Sequence, residues 1–144
     1  MKIALDTTDC VFFQLAKANQ VAGRFLGQRV APFGVTPVQS LILALLNEED
    51  GVTPRELGVR AELDSATLTG LLDRLEASGH LAREVNPEDR RSVRIQLTQT
   101  GREAASTVAQ ALLEANAAFL KPLTVPERRT LMRCITKLRL NKDI

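Results

Sequence analysis

Between Leu63 and Gly101 the spacing of apolar residues changes once, and that change limits the fold more than any other feature of the chain. Leu68, Leu71, Leu72 and Leu75 recur at helical intervals and fall within an arc of about 100° on one helix face. Asp64 or Ser65 stands where a cap is needed, and Gly79 where a helix stops. From Val93 the pattern becomes alternation: Val93, Ile95 and Leu97 are separated by Arg94 and Gln96, the period of a half-buried strand. Leu81–Val85 offers a partner strand, and Asn86-Pro87-Glu88-Asp89 is turn chemistry. The stretch predicts a helix followed by a hairpin with Arg90 and Arg91 near its tip.

The residues before it complete a familiar plan. Thr53-Pro54-Arg55-Glu56 has the form of a capping box, in which a Thr side chain and a Glu three residues on satisfy each other's free amides. It opens a short helix that ends near Arg60. Glu62-Leu63-Asp64 is a turn, and short helix, tight turn, longer helix is a helix-turn-helix. Thr36-Pro37-Val38-Gln39 opens an earlier helix whose body, residues 41–46, is apolar nearly all round and so expected to be buried. Asp6 to Val30 reads as a long first helix capped by Asp6, Thr7 or Thr8 and broken at Ala31-Pro32-Phe33-Gly34. Thr98 caps a fifth helix running to about Lys121, and Thr124-Val125-Pro126-Glu127 opens a last one. The expected fold is mainly α with a small β-wing: a winged helix-turn-helix with flanking helices, six helices and one β-hairpin in a single domain spanning 1–144.

Composition agrees with packed helices. Hydrophobic residues make up 44% of the chain but aromatics only 3%, with no Trp and no Tyr, so Leu, Ile, Val and Ala must build the core. A net charge of +2 gives no direction by itself. Local charge does: Arg83, Arg90, Arg91, Arg94 and Arg102 cluster against Glu84, Glu88 and Asp89. No charge-free apolar run approaches the roughly 18 residues of a membrane span. The N-terminus turns acidic at Asp6, too early for a signal peptide, and a cytoplasmic protein without membrane contact is expected. Cys10 and Cys134 provide neither a disulfide framework nor metal-ligand spacing, and His80 is the single His, expected to be structural. No Gly-rich phosphate loop or nucleophile–base set is present, so neither a cofactor nor catalysis is expected.

The outer face of the leucine helix presents Ser65, Ala66, Thr67, Thr69, Gly70, Asp73 and Arg74. Small residues let a backbone approach base edges, Thr offers a hydroxyl and a methyl, and Arg74 can reach a guanine or a phosphate. A polar outer face alone is ordinary. The adjoining hairpin decides for duplex DNA, because two adjacent arginines at its tip suit a narrow minor groove of strongly negative potential. Asp89, two residues before Arg91, is expected to hold that guanidinium in one pose.

These residues resemble the MarR family of winged-helix repressors. The resemblance is carried by Thr36-Pro37-x-Gln39, Leu57-Gly58, Thr67-Leu68-Thr69, Leu72-x-x-Leu75-Glu76, Gly79-x-Leu81 and Asp89-x-Arg91-x-x-x-Ile95-x-Leu97-Thr98-x-x-Gly101, and covers nearly the whole chain. It implies a homodimer whose first, fifth and sixth helices (1–34 and 102–144) interlock, flanking a DNA-binding region at 35–101. Two-fold symmetry implies a pseudo-palindromic operator in double-stranded DNA. By the same resemblance Arg91 enters the minor groove, Asp89 orients it, the 65–74 face reads the major groove, and Thr53, Arg55, Arg90 and Arg94 are phosphate contacts. The family's effector pocket, for a small phenolic or other lipophilic molecule, would here draw on Phe13, Lys17, Phe33 and Leu41.

Leu63-Asp64-Ser65-x-Thr67-Leu68-Thr69 is also similar to the organic-hydroperoxide sensors known as OhrR, which carry a reactive cysteine near the start of helix one. Cys10 sits in such a place, with Cys134 as a candidate resolving partner. This chain lacks the tyrosines that bond the cysteine in those sensors, and Asp9 disfavours a thiolate. The leading expectation is a dimeric repressor released by a small molecule. The alternatives are a thiol-based peroxide sensor and, in a different class, a winged-helix protein-interaction module, against which the wing arginines argue.

Overall fold

The computed structural model describes residues 4–143. In chain order it comprises α1 (Val11–Val30), a 3-10 turn (Ala31–Phe33), α2 (Pro37–Glu48), α3 (Pro54–Ala61), α4 (Ser65–Ala77), β1 (Leu81–Val85), β2 (Val93–Leu97), α5 (Gln99–Phe119) and α6 (Val125–Arg139). The six helices and one hairpin are those read from the sequence.

Local chemistry explains most boundaries. Thr36/Gln39, Thr53/Glu56 and Thr124/Glu127 form reciprocal capping boxes, each with Pro in the first turn. Asp64 caps α4 by accepting from the Thr67 amide at 2.8 Å, and Thr98 caps α5 by accepting from the Gly101 amide at 2.9 Å. The first helix departs from expectation. It begins at Val11, with Cys10 at its N-cap and no side-chain cap. Asp6 instead accepts from the Thr8 amide at 2.9 Å and hydroxyl at 2.7 Å, closing a turn of its own before the helix starts. The fifth helix likewise ends at Phe119, short of Lys121.

One core holds these elements together. Ile42, Leu43 and Leu46 of α2, Leu57 of α3, Leu68, Leu71, Leu72 and Leu75 of α4, Leu81, Ile95 and Leu97 of the hairpin, and Ala105 and Val108 of α5 are all buried in it. The hairpin is antiparallel, pairing Leu81 with Leu97 and Val85 with Val93. Its inner strand also bridges Val52, whose carbonyl accepts from the Ile95 amide at 2.8 Å. Asp50 adds a second tie, accepting from the Leu97 amide at 2.9 Å. The turn between α2 and α3 is thereby stitched to the base of the wing.

The flanking helices differ. Among the described residues α6 buries none and α1 buries only Val30. Phe12, Leu15 and Val21 of α1, Leu113 of α5, and Leu131, Met132 and Leu138 of α6 stay exposed.

Candidate nucleic-acid interface

The leucine face of α4 packs inward, so the opposite face is set by geometry. Ser65, Ala66, Thr67, Thr69, Asp73 and Arg74 are exposed, and Gly70 is half-buried among them. This is the face expected from the sequence. The Thr67 hydroxyl donates to Asp64 Oδ2 at 2.7 Å, and the Thr69 hydroxyl donates to the Ser65 carbonyl at 2.7 Å. Both hydroxyl protons are therefore used within the helix, leaving a lone pair and a methyl to face outward. Arg74 lies back across Gly70, where a Cβ would stand 4.0 Å from its Nη2.

The first turn of α4 is electrostatically set. The Asp64 carboxyl is held below the usual carboxylate range by hydrogen bonds from the Thr67 amide and then the Thr67 hydroxyl. Glu56 and Glu127 are lowered in the same way by Thr53 and Thr124. A depressed native value means that the cap's stabilisation is complete above the ordinary carboxylate range and is lost as pH falls through the lowered value. Asp64→Ala should lower the melting temperature at neutral pH. Its deficit relative to wild type in thermal melts should start to close only once pH drops below the ordinary carboxylate value of about 4, and should close fully as pH falls through the lowered native value. A deficit that persists unchanged in acid would show that the cap is not the source.

Asp73 does not stand free on the outer face. Its Oδ1 accepts from Arg83 Nη2 at 2.7 Å, and Arg83 Nη1 pairs with the Glu76 carboxylate. Sequence reading placed Asp73 against DNA and gave Arg83 no role. The two are ten residues apart on different elements, and no local spacing signals the pair.

The wing tip is braced from inside. Asn86, buried, donates to the Ser92 hydroxyl at 3.0 Å and accepts from the Glu88 amide and from Arg94 Nε, both at 3.1 Å. Arg94 Nη2 also lies 3.3 Å from Glu88. Two expectations change here. Asp89 accepts from the Arg91 backbone amide at 3.0 Å rather than holding its guanidinium, because in so tight a turn the nearby amide lies within reach of the carboxylate. Arg94, expected on a phosphate, spends its guanidinium on Asn86 and Glu88. Arg90 and Arg91 are exposed and, among the described residues, take part in no ion pair.

Beside this face, α3 and α4 enclose a cleft of about 400 Å³ lined by Arg55, Gly58, Ser65 and Thr69 among others. Arg55 is exposed at its rim. Thr53, the other expected phosphate contact, is engaged by Glu56 through both amide and hydroxyl, at 2.7 and 3.0 Å.

The remaining expected residues are dispersed. The Lys17 ammonium sits 5.5 Å from the Phe13 ring centroid on α1. Phe33 faces a different cleft of mixed lining, with Asn47, Gln110 and Leu113. Leu41 alone of the four lines the apolar cleft between α1 and α5, of about 360 Å³. Cys10 is half-buried and Cys134 exposed, both as free thiols. Among the described residues no cluster of three or more His, Cys, Asp or Glu could hold a metal, and His80 Nδ1 lies 2.6 Å from the Ser78 hydroxyl.

Comparison with known proteins places this architecture. The sequence model of the MarR family matches residues 33–92. The HTH-type transcriptional regulator TtmR of Methylorubrum extorquens is 37% identical over 136 residues, covering 94% of this chain and 68% of that protein. The organic hydroperoxide resistance transcriptional regulator of Bacillus subtilis is 43% identical, but over only 67 residues, 46% of each chain. The crystal structure of a mutant MarR from Escherichia coli, complexed with operator DNA, superposes with a TM-score of 0.79 at 29% identity, covering 87% of this chain and 90% of that one. With a relative 37% identical over nearly all of its length and this fold in common, the chain belongs to the MarR family of DNA-binding transcriptional regulators.

Proposed function

We propose that the chain is a homodimeric repressor, acting in the cytoplasm, that grips a pseudo-palindromic operator and releases it when a small lipophilic molecule binds. The observation that carries this reading is the exposure of both the small outer face of α4 and a braced wing tip whose two arginines take part in no ion pair among the described residues. Ser65, Ala66, Thr67, Thr69, Gly70 and Arg74 would face the major groove, Arg91 the minor groove, and Arg90 and Arg55 the backbone. Asp89 contributes by shaping the tip. Residues 35–101 form the reading unit, and 1–34 with 102–144 the scaffold that spaces two copies. Exposed Phe12, Leu15, Leu131 and Leu138 supply apolar surface for that pairing.

The effector reading rests on the cleft between α1, α2 and α5. Phe25, Leu26, Leu41, Leu112 and Phe119 make it apolar, and Asn116 is its polar handle. The Phe25 and Phe119 rings meet at 5.1 Å, and the Arg29 guanidinium stacks 3.7 Å over Phe25. An aromatic molecule with one polar group suits such a lining. A ligand that favours a dimer with altered wing spacing lowers operator affinity by that difference in affinity.

The test is fluorescence anisotropy with duplex DNA from upstream of the chain's own gene. Saturation at two chains per site, and weaker binding when small aromatic acids are added, are the expected results. Absence of binding to that duplex and to unrelated duplexes alike would sink the reading.

A further inference from the structure

Asp73 and Glu76 place two carboxylates on successive turns at the C-terminal half of α4, where the only basic side chain of that helix is Arg74. Duplex DNA carries about one negative charge per 1.7 Å of axis, so bare carboxylates there oppose binding. Arg83 meets both. Its side chain, 24% exposed, reaches from the middle of β1, donating through Nη2 to Asp73 at 2.7 Å and through Nη1 to Glu76, while its own backbone amide donates to Glu76 Oε1 at 3.3 Å. Arg83 lies opposite Ile95 in the hairpin, whose side chain is fully buried. The guanidinium is thus anchored in the core-packed part of the wing and clamps the end of the reading helix from behind.

We infer that Arg83 is a positioning residue for DNA reading: it holds the Asp73 and Glu76 carboxylates and offsets part of their charge at the end of α4, without touching DNA. A forked donor suits two carboxylates one turn apart better than a point charge does. Arg94 plays no equivalent part, since it pairs with Glu88 at the tip.

This inference rests on the DNA-binding reading, and its test separates the two. Affinity for upstream duplex and its salt slope are measured for wild type, Arg83→Gln, Arg83→Lys and the triple variant Arg83→Gln/Asp73→Asn/Glu76→Gln. Arg83→Gln should weaken binding about ten-fold or more, because uncompensated like charge is brought against the backbone, and should change the salt slope by less than the roughly 2 per dimer expected when each subunit loses a phosphate contact. Arg83→Lys should retain much of the affinity. The triple variant, with the carboxylates neutralised, should recover most of the loss and the slope. Unchanged binding by Arg83→Gln overturns the inference. So does a loss that the triple variant fails to recover, which would make the role purely architectural. Failure of wild type to bind any duplex overturns the DNA-binding reading itself.

Discussion

Gly101→Ala should cost about 3 kcal/mol or more of folding stability, at the severe end of overpacking substitutions. Gly101 is the third residue of α5 and is buried. A Cβ there would stand 1.6 Å from the His80 carbonyl oxygen and 2.7 Å from its carbon. Both atoms are backbone, so no rotamer change relieves the clash. The carbonyl is also committed, accepting from the Thr98 amide at 3.1 Å, while the Thr98 hydroxyl donates to the Gly79 carbonyl at 2.6 Å. An added methyl must push α5 away from the end of α4 and break the junction that joins reading helix, wing and scaffold. With total stability of about 5–15 kcal/mol in domains of this kind, such a loss is large. Urea unfolding followed by circular dichroism measures it, and an Ala variant as stable as wild type would refute the junction described.

The second large effect concerns binding rather than folding. Arg90→Ala/Arg91→Ala should leave the melting temperature nearly unchanged, because the tip is held by Asn86, Asp89 and Ser92. Its affinity for upstream DNA should fall steeply. The plot of log affinity against log salt should flatten by about 4 per dimer if each arginine neutralises one phosphate in each subunit. Arg94→Ala should change the slope less, since its guanidinium is already engaged by Asn86 and Glu88. Equal slope changes for the two variants would show that the division of labour among the wing arginines is wrong.

How much of this was legible in the chain depended on distance along it. Capping boxes at Thr36, Thr53 and Thr124 and the alternation of Val93, Ile95 and Leu97 involve partners within a few residues, and each formed as expected. The start of α1 misled because Asp6 satisfies Thr8 locally instead of the helix, a competition that residue type alone does not resolve. Asp89 misled in the same manner, taking a backbone amide where a guanidinium was expected. The Arg83 clamp and the Asp50–Leu97 tie join residues far apart in sequence and carry no local signal. Gly101 was visible as part of a family pattern, but its reason, a backbone-on-backbone contact with His80, appears only in the fold. Phe13, Lys17 and Phe33 failed to meet Leu41 in one cleft because they lie outside the apolar seam that α1 and α5 make with α2.

The central claim is that α4 enters the major groove while the wing tip enters the minor groove, twice per dimer. Chemical footprinting on upstream DNA tests it directly, with guanine methylation reporting the major groove and hydroxyl-radical cleavage the minor groove. The predicted pattern is two-fold symmetric: two major-groove protections about one helical turn or a multiple apart, each with an adjoining minor-groove protection that disappears in Arg90→Ala/Arg91→Ala. A single asymmetric footprint, or minor-groove protection that survives removal of both arginines, would contradict it.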